Sequence, residues 1–239
     1  MKAKSIFCLA VFAMSVMLLS SCKKDRTKHS REISDAKNIR GIVVEGSWSV
    51  YLRQGEQSSA KIEYSAFLDD KVEARVDNDG YLYLKVRRSI GITRDDLKAI
   101  VTIPKIEYIK ASGASHIHSE SIFEGKANKI ELNGASKINS LTYRGNDIDI
   151  TLNGASRCNM SGMAERAKIE ANGSSEAAMP DFTTKTLEIY LNGSSDAFIT
   201  TITERATGKL SGASKLRYRG NADLSGVQLS GASSIQKAE

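Results

Sequence analysis

Residues 130–156, IELNGASKINSLTYRGNDIDITLNGAS, contain the same corner twice, Asn133-Gly134-Ala135-Ser136 and Asn153-Gly154-Ala155-Ser156. Each corner is approached by alternating side chains, Ile130-Glu131-Leu132 and Ile150-Thr151-Leu152, which is the period of a strand. Outward from this stretch the tetrapeptide recurs as Ser112-Gly113-Ala114-Ser115 before it. After it come Asn172-Gly173-Ser174-Ser175, Asn192-Gly193-Ser194-Ser195, Ser211-Gly212-Ala213-Ser214 and Ser230-Gly231-Ala232-Ser233. Seven copies at a nearly constant period of ~20 residues make a repeat array.

Aligned on the first corner residue, the copies form columns. One position before it stand Ala111, Leu132, Leu152, Ala171, Leu191, Leu210 and Leu229, all apolar. Five after it stand Ile117, Ile138, Cys158, Ala177, Ala197, Leu216 and Ile235. The position four after is polar in every copy: His116, Lys137, Arg157, Glu176, Asp196, Lys215 and Ser234. A unit of ~20 residues cannot bury a face alone, whereas units stacked ~4.8 Å apart join each column into a strip of core. The expected fold is therefore all-β, a single-chain parallel β-helix of about seven ~20-residue coils following an irregular β-rich N-terminal part. Hairpins would repeat every ten to twelve residues, and no segment has the helical spacing that a leucine-rich horseshoe needs.

The corner residues have structural uses. Gly113, Gly134, Gly154, Gly173, Gly193, Gly212 and Gly231 are expected at positive φ. Asn133, Asn153, Asn172 and Asn192 are expected to stack as an amide ladder, with the closing serines doing likewise. On the outward column Arg157 faces Glu176 and Asp196 faces Lys215, two expected surface ion pairs.

Lys and Arg total 34 against 28 Asp and Glu; discounting Lys2 and Lys4 leaves 32 against 28. So weak and dispersed a basic balance does not indicate a nucleic-acid binder. Two prolines against 18 glycines exclude a Pro-rich disordered chain.

Residues 1–21 read as an export signal, with Lys2 and Lys4 ahead of the apolar run Ile6 to Leu19, which is too short to span a bilayer. Leu19-Ser20-Ser21-Cys22 resembles the lipobox of bacterial lipoproteins, so Cys22 is the expected lipidation site; the alternative is an ordinary secretory signal with an incidental cysteine. Cys8 leaves with the signal and Cys22 is acylated, so Cys158 stands alone and no disulfide framework is expected. Residues 22–38 are polar and are expected to act as a flexible tether. Lys23 occupies the place where many lipoproteins retained at the inner membrane carry aspartate, which favours the outer membrane, on either its periplasmic or its outer face. Residues 39–98 alternate less cleanly, with Asp77-Asn78-Asp79-Gly80 as a turn signal, and are expected to form capping coils for the array at 99–239.

The lipobox, Val44-Glu45-Gly46, Val50-Tyr51-Leu52-Arg53-Gln54-Gly55, and Ile103-Pro104 leading into the first corner resemble the putative autotransporter adhesin, head GIN domain family of Bacteroidetes. The resemblance covers roughly residues 39–239. It implies a right-handed β-helix of the pectin-lyase type without that type's catalytic residues, and a role in cell adhesion.

Chemistry is sparse. β-Helices that cleave polysaccharides set acids on neighbouring coils, whereas here charges of both signs are interspersed with no run of acids; Asp147 and Asp149 share a face, most simply as a solvated pair. His116 and His118 point the same way, with Glu120 next in line, and form a weak metal candidate lacking a fourth ligand. Cys158 reads as a buried hydrophobe. Arg87, Arg88 and Arg94 lie in one loop and fit solvation as well as nucleic acid. No cofactor motif is present. Trp48, Tyr51, Tyr64, Tyr81 and Tyr83 either stack on sugar rings or pack the capping coils. The expected function is a lipid-anchored, non-enzymatic envelope head that binds a glycan or an extracellular protein. The alternatives are a polysaccharide-processing enzyme and a self-associating envelope protein pairing through Ser230 to Gln236.

Overall fold

Alternating side chains produce strands, and the recurring corners bring them into register. The computed structural model describes residues 24–34, 36–87 and 91–238; the expected signal segment, Cys22 and Arg88 lie outside them. Strands β8 (Tyr108–Gly113), β9 (His116–Leu132), β10 (Lys137–Gly154), β11 (Arg157–Gly173), β12 (Glu176–Gly193), β13 (Asp196–Leu210), β14 (Lys215–Tyr218), β15 (Asp223–Leu229) and β16 (Ser234–Lys237) wind into parallel coils. The result is a β-solenoid of about 6 turns of roughly 20 residues, delimited by the seven corners.

The register is column for column. Ile117, Ile138, Cys158, Ala177, Ala197 and Leu216 are successive Cα partners and all wholly buried. At the corners φ runs from 69 to 85° in the seven glycines. A Cβ on Gly154 would stand 2.9 Å from the Gly134 carbonyl, which itself accepts the Ala155 N–H at 2.8 Å. Glycine is therefore required by the close approach of successive coils as well as by φ. The last coil is covered on one side only, and Leu229 is 51% exposed.

The N-terminal part is wound out of order. Strands β2 (Gly41–Gly46) and β3 (Ser49–Gln54) form the coil beneath β8 and β9, in parallel register with them. Gly46 pairs with Gly113, and the Ala114 N–H donates to the Gly46 carbonyl at 2.7 Å, so Glu45-Gly46-Ser47-Trp48 is a further corner, far upstream of the periodic seven. Between them the chain runs out through β4 (Ser59–Ser65) and β5 (Val72–Val76) and returns through β6 (Tyr81–Val86) and β7 (Leu97–Ile103). β6 and β7 lie parallel against β2 and β3, and β5 and β4 close the stack antiparallel. Antiparallel closure covers the parallel edge that an open first coil would expose.

The polar segment read as a tether is structured over much of its length. Lys28–Glu32 forms β1, antiparallel to β4. Just before it, Arg26 Nη1 lies 2.6 Å from both carboxylate oxygens of Asp96. Composition alone reads this stretch as coil, because all five β1 side chains face solvent and what holds it is main-chain pairing and contacts with remote residues, Asp96 to Arg26, Asp69 to His29 and Ser65 to Lys28.

Candidate functional site

The long face formed by side chains two, four and six positions before each corner carries accessible concavity, and a further groove, of about 350 Å³, lies after the corners beside Asn139, Arg157 and Asp181. On the long face the column four before the corner runs Tyr81, Gly41, Tyr108, Lys129, Asp149, Lys168, Glu188 and Thr207 across eight strands. Two grooves lie along it. One, of about 510 Å³, is lined by Val43, Tyr81, Tyr83, Tyr108, Lys129 and Asp149, among others. The second, of about 450 Å³, is lined by Asp147, Asp149, Arg166, Lys168, Glu188 and Arg205, among others. Asp149 belongs to both.

At the first groove the rings of Tyr81 and Tyr108 come from strands two apart, with Gly41 between them. Glycine puts nothing in the intervening position, so the rings close over it edge to face, with centroids 5.7 Å apart. Tyr83 lies alongside, with the Arg75 guanidinium 4.6 Å and the Lys85 ammonium 5.4 Å from its ring centroid. The Tyr108 hydroxyl donates to Glu131 Oε2 at 2.9 Å, and burial followed by that carboxylate pushes the phenol up. Burial raises the Glu131 carboxyl too, but Lys129, Tyr108 and Lys110 together hold it below the usual range, with Lys129 Nζ 2.7 Å and Lys110 Nζ 3.3 Å away. Arg40 Nε donates to Glu107 Oε2 at 3.0 Å. Glu107, Glu131 and the cations around them thus meet partners within the protein, while Asp149 lines the groove without an ion pair among the described residues.

In the second groove Asp147 is ion-paired with Arg166 on the next coil at 2.6 Å. Of the two outward pairs expected, Arg157 and Glu176 close at 3.0 Å. Asp196 and Lys215 are register partners that form no ion pair.

Across the corner, His116 is buried rather than outward, and the His118 ring stacks on Tyr51 at 5.2 Å. The Asn139 amide nitrogen reaches both imidazoles, 3.4 Å from His116 Nδ1 and 3.0 Å from His118 Nε2. An amide nitrogen is a hydrogen-bonding group and not a ligand. Among the described residues no cluster of three or more His, Cys, Asp or Glu is arranged for a metal. Cys158 is wholly buried, and burial pushes its thiol up to about 12. The aromatics of the first third divide. Trp48 is wholly buried and Tyr64 nearly so, while Tyr51 is 39% exposed and Tyr81 and Tyr83 are half-buried at the groove.

At the corners the amides form a column: Asn153 Nδ2 donates to Asn133 Oδ1, Asn172 to Asn153 and Asn192 to Asn172, at 2.9, 3.0 and 2.9 Å. The serines depart from the expectation of a hydroxyl ladder. Ser115, Ser136, Ser156, Ser175, Ser195 and Ser214 are buried, and the corner serines donate to main-chain carbonyls, as Ser195 Oγ does to Ala171 at 3.0 Å and Asn192 at 3.1 Å, which satisfies each hydroxyl without a hydroxyl partner. The meeting of Tyr81 with Tyr108 over Gly41 escaped sequence reading. The three positions lie far apart along the chain, and the out-of-order winding that joins them has no periodic signal.

A family model described as "putative auto-transporter adhesin, head GIN domain" matches residues 38–222. No curated protein matches the chain. Solved structures share its fold. A crystal structure of a putative adhesin from Bacteroides fragilis NCTC 9343 is 15% identical with a TM-score of 0.79, over 89% of this chain and 97% of that one. One of a putative lipid binding protein from Parabacteroides distasonis ATCC 8503 is 14% identical with a TM-score of 0.69, over 89% and 97%. One of a putative adhesin from Parabacteroides merdae ATCC 43184 is 16% identical with a TM-score of 0.60, over 91% and 98%.

Proposed function

Since the chain belongs to the head GIN domain family of auto-transporter adhesins, we propose that it is a non-enzymatic head of the bacterial cell envelope, lipid-anchored through Cys22 to the outer membrane, that binds a glycan or an extracellular protein. One observation carries this reading: a continuous face, in one register across eight strands, opens through two grooves that share Asp149. Such a face offers extended contact area to a broad or elongated ligand, with acids and bases interspersed along it.

The full chain with Cys22→Ser, which cannot take lipid, should bind glycans, matrix proteins or cells and release no new reducing ends or unsaturated products from pectins or host glycans. Cleavage that disappears in Asp147→Asn or Asp149→Asn would replace the adhesive reading with a polysaccharide-processing one. Metabolic labelling with a fatty-acid analogue tests the anchor: label should enter the wild-type chain and be lost in Cys22→Ser. The exposure of Leu229 on the last described coil favours a second reading, self-association, which a strictly monomeric mass by light scattering would sink.

A further inference from the structure

We infer that the groove over Gly41 is a binding site for a neutral glycan chain, with Tyr81 and Tyr108 as the platform on which a sugar ring packs. This rests on the adhesive reading above and names the ligand class and the residues. The rings stand 79° apart, so they form an apolar corner with polar rims in which one ring offers its face to the C–H face of a pyranose. The position between them cannot carry a side chain: a Cβ on Gly41 would stand 2.6 Å from the Tyr108 carbonyl and 2.9 Å from Tyr81 Cδ1. The platform is therefore built by leaving a gap in the middle strand and folding two rings over it.

The charges argue for a neutral ligand. Glu107 is met by Arg40, Glu131 by Lys129 and Lys110, and the cations beside Tyr83 are Arg75, 3.0 Å from Glu73, and Lys85, 2.9 Å from Glu45. Among the described residues Asp149 is the one groove-lining acid without an ion pair, and a lone carboxylate is not a cluster of one sign that would select an anionic or cationic partner. The same side chains still present donors and acceptors to ligand hydroxyls. The volume of about 510 Å³ lies within the range of small-molecule sites. Because Asp149 also lines the adjoining groove, a ligand can continue along the face, so the fit is to a chain rather than to a single sugar.

The test uses the full chain with Cys22→Ser on an array of neutral and anionic glycans, followed by titration calorimetry with the best neutral oligosaccharide. Neutral glycans should bind, and Tyr108→Ala and Tyr81→Ala should each weaken binding about tenfold, the scale of a truncated aromatic anchor. Tyr108→Phe keeps the ring without the Glu131 bond and should retain binding, which separates loss of platform from loss of fold. Met163→Ala, at an exposed position on another face, should change nothing. Binding restricted to anionic glycans, binding unchanged in both alanine variants, or no glycan binding at all overturns the assignment. If proteins or cells are still bound in those cases, the adhesive reading survives and only the groove assignment falls; if nothing is bound, both fall.

Discussion

Asp96 shows what one buried charge asks of its surroundings. It is 1% exposed and takes hydrogen bonds from the Thr93 N–H and hydroxyl, the Ser65 hydroxyl and the Arg26 guanidinium, at 2.6 to 2.9 Å. Burial pushes its carboxyl up, but these donors outweigh burial and hold it at about 2. An unfolded aspartate titrates near 3.9, so the native state favours the ionised form. The stabilisation is present above pH ~4 and is lost as pH falls toward ~2, about 2 kcal/mol in all. Urea midpoints measured from pH 6 to 2 should fall through that window, and Asp96→Asn should lower the plateau and flatten the fall; an unchanged profile would refute the assignment. Thr93 and Asp96 form a legible local pair, a capping box. Arg26 and Ser65 come from distant parts of the chain, and nothing in the sequence around either announces the meeting.

The asparagine column is a property of the stack of strands rather than of any one residue. Asn153 bonds the coils on both sides, whereas Asn133 is bonded by Asn153 alone. With each net bond worth ~0.5–1.5 kcal/mol, Asn153→Ala should cost about twice as much in equilibrium unfolding as Asn133→Ala. Equal costs would mean that the amides act singly. Gly154→Ala should cost more than either, since its Cβ would meet the Gly134 carbonyl at 2.9 Å with φ at 82°. These corners were readable because a repeat writes the same requirement every ~20 residues. Glu45-Gly46-Ser47-Trp48 turns the chain with one shared glycine, at a φ of 124° rather than 69 to 85°. The cap strands displaced it from the period, and Trp48 fills the place that serine holds elsewhere.

For the whole molecule, the decisive contact lies between the N-terminal segment and the cap. Arg26 and β1 pin the chain to β4 and Asp96, and Lys24 Nζ lies 4.7 Å from the centroid of the Phe67 ring. From Cys22 to Arg26 is four steps along the backbone, at most ~14 Å of extended chain. A lipid on Cys22 would therefore hold the cap close to the membrane, with the coils rising away from it and the tyrosine groove near the base. The burial of Cys158 leaves engineered cysteines selectively labelable. In vesicles bearing the lipidated chain, a fluorophore at Ser30→Cys should be quenched by headgroup-bound quencher far more than one at Ala232→Cys. Arg26→Ala should narrow the difference. Equal quenching at the two sites in the otherwise wild-type chain would mean that the head swings freely.

From the sequence alone came the solenoid, its inward columns and its glycine corners, because a periodic constraint is repeated until it is legible. Only the tertiary structure decided the order of winding at the cap, the docking of the supposed tether and the convergence of Tyr81 and Tyr108 over Gly41. Each depends on single, non-repeating contacts between residues remote from one another in the chain, and these are set by which surfaces remain to be covered once the coils have stacked.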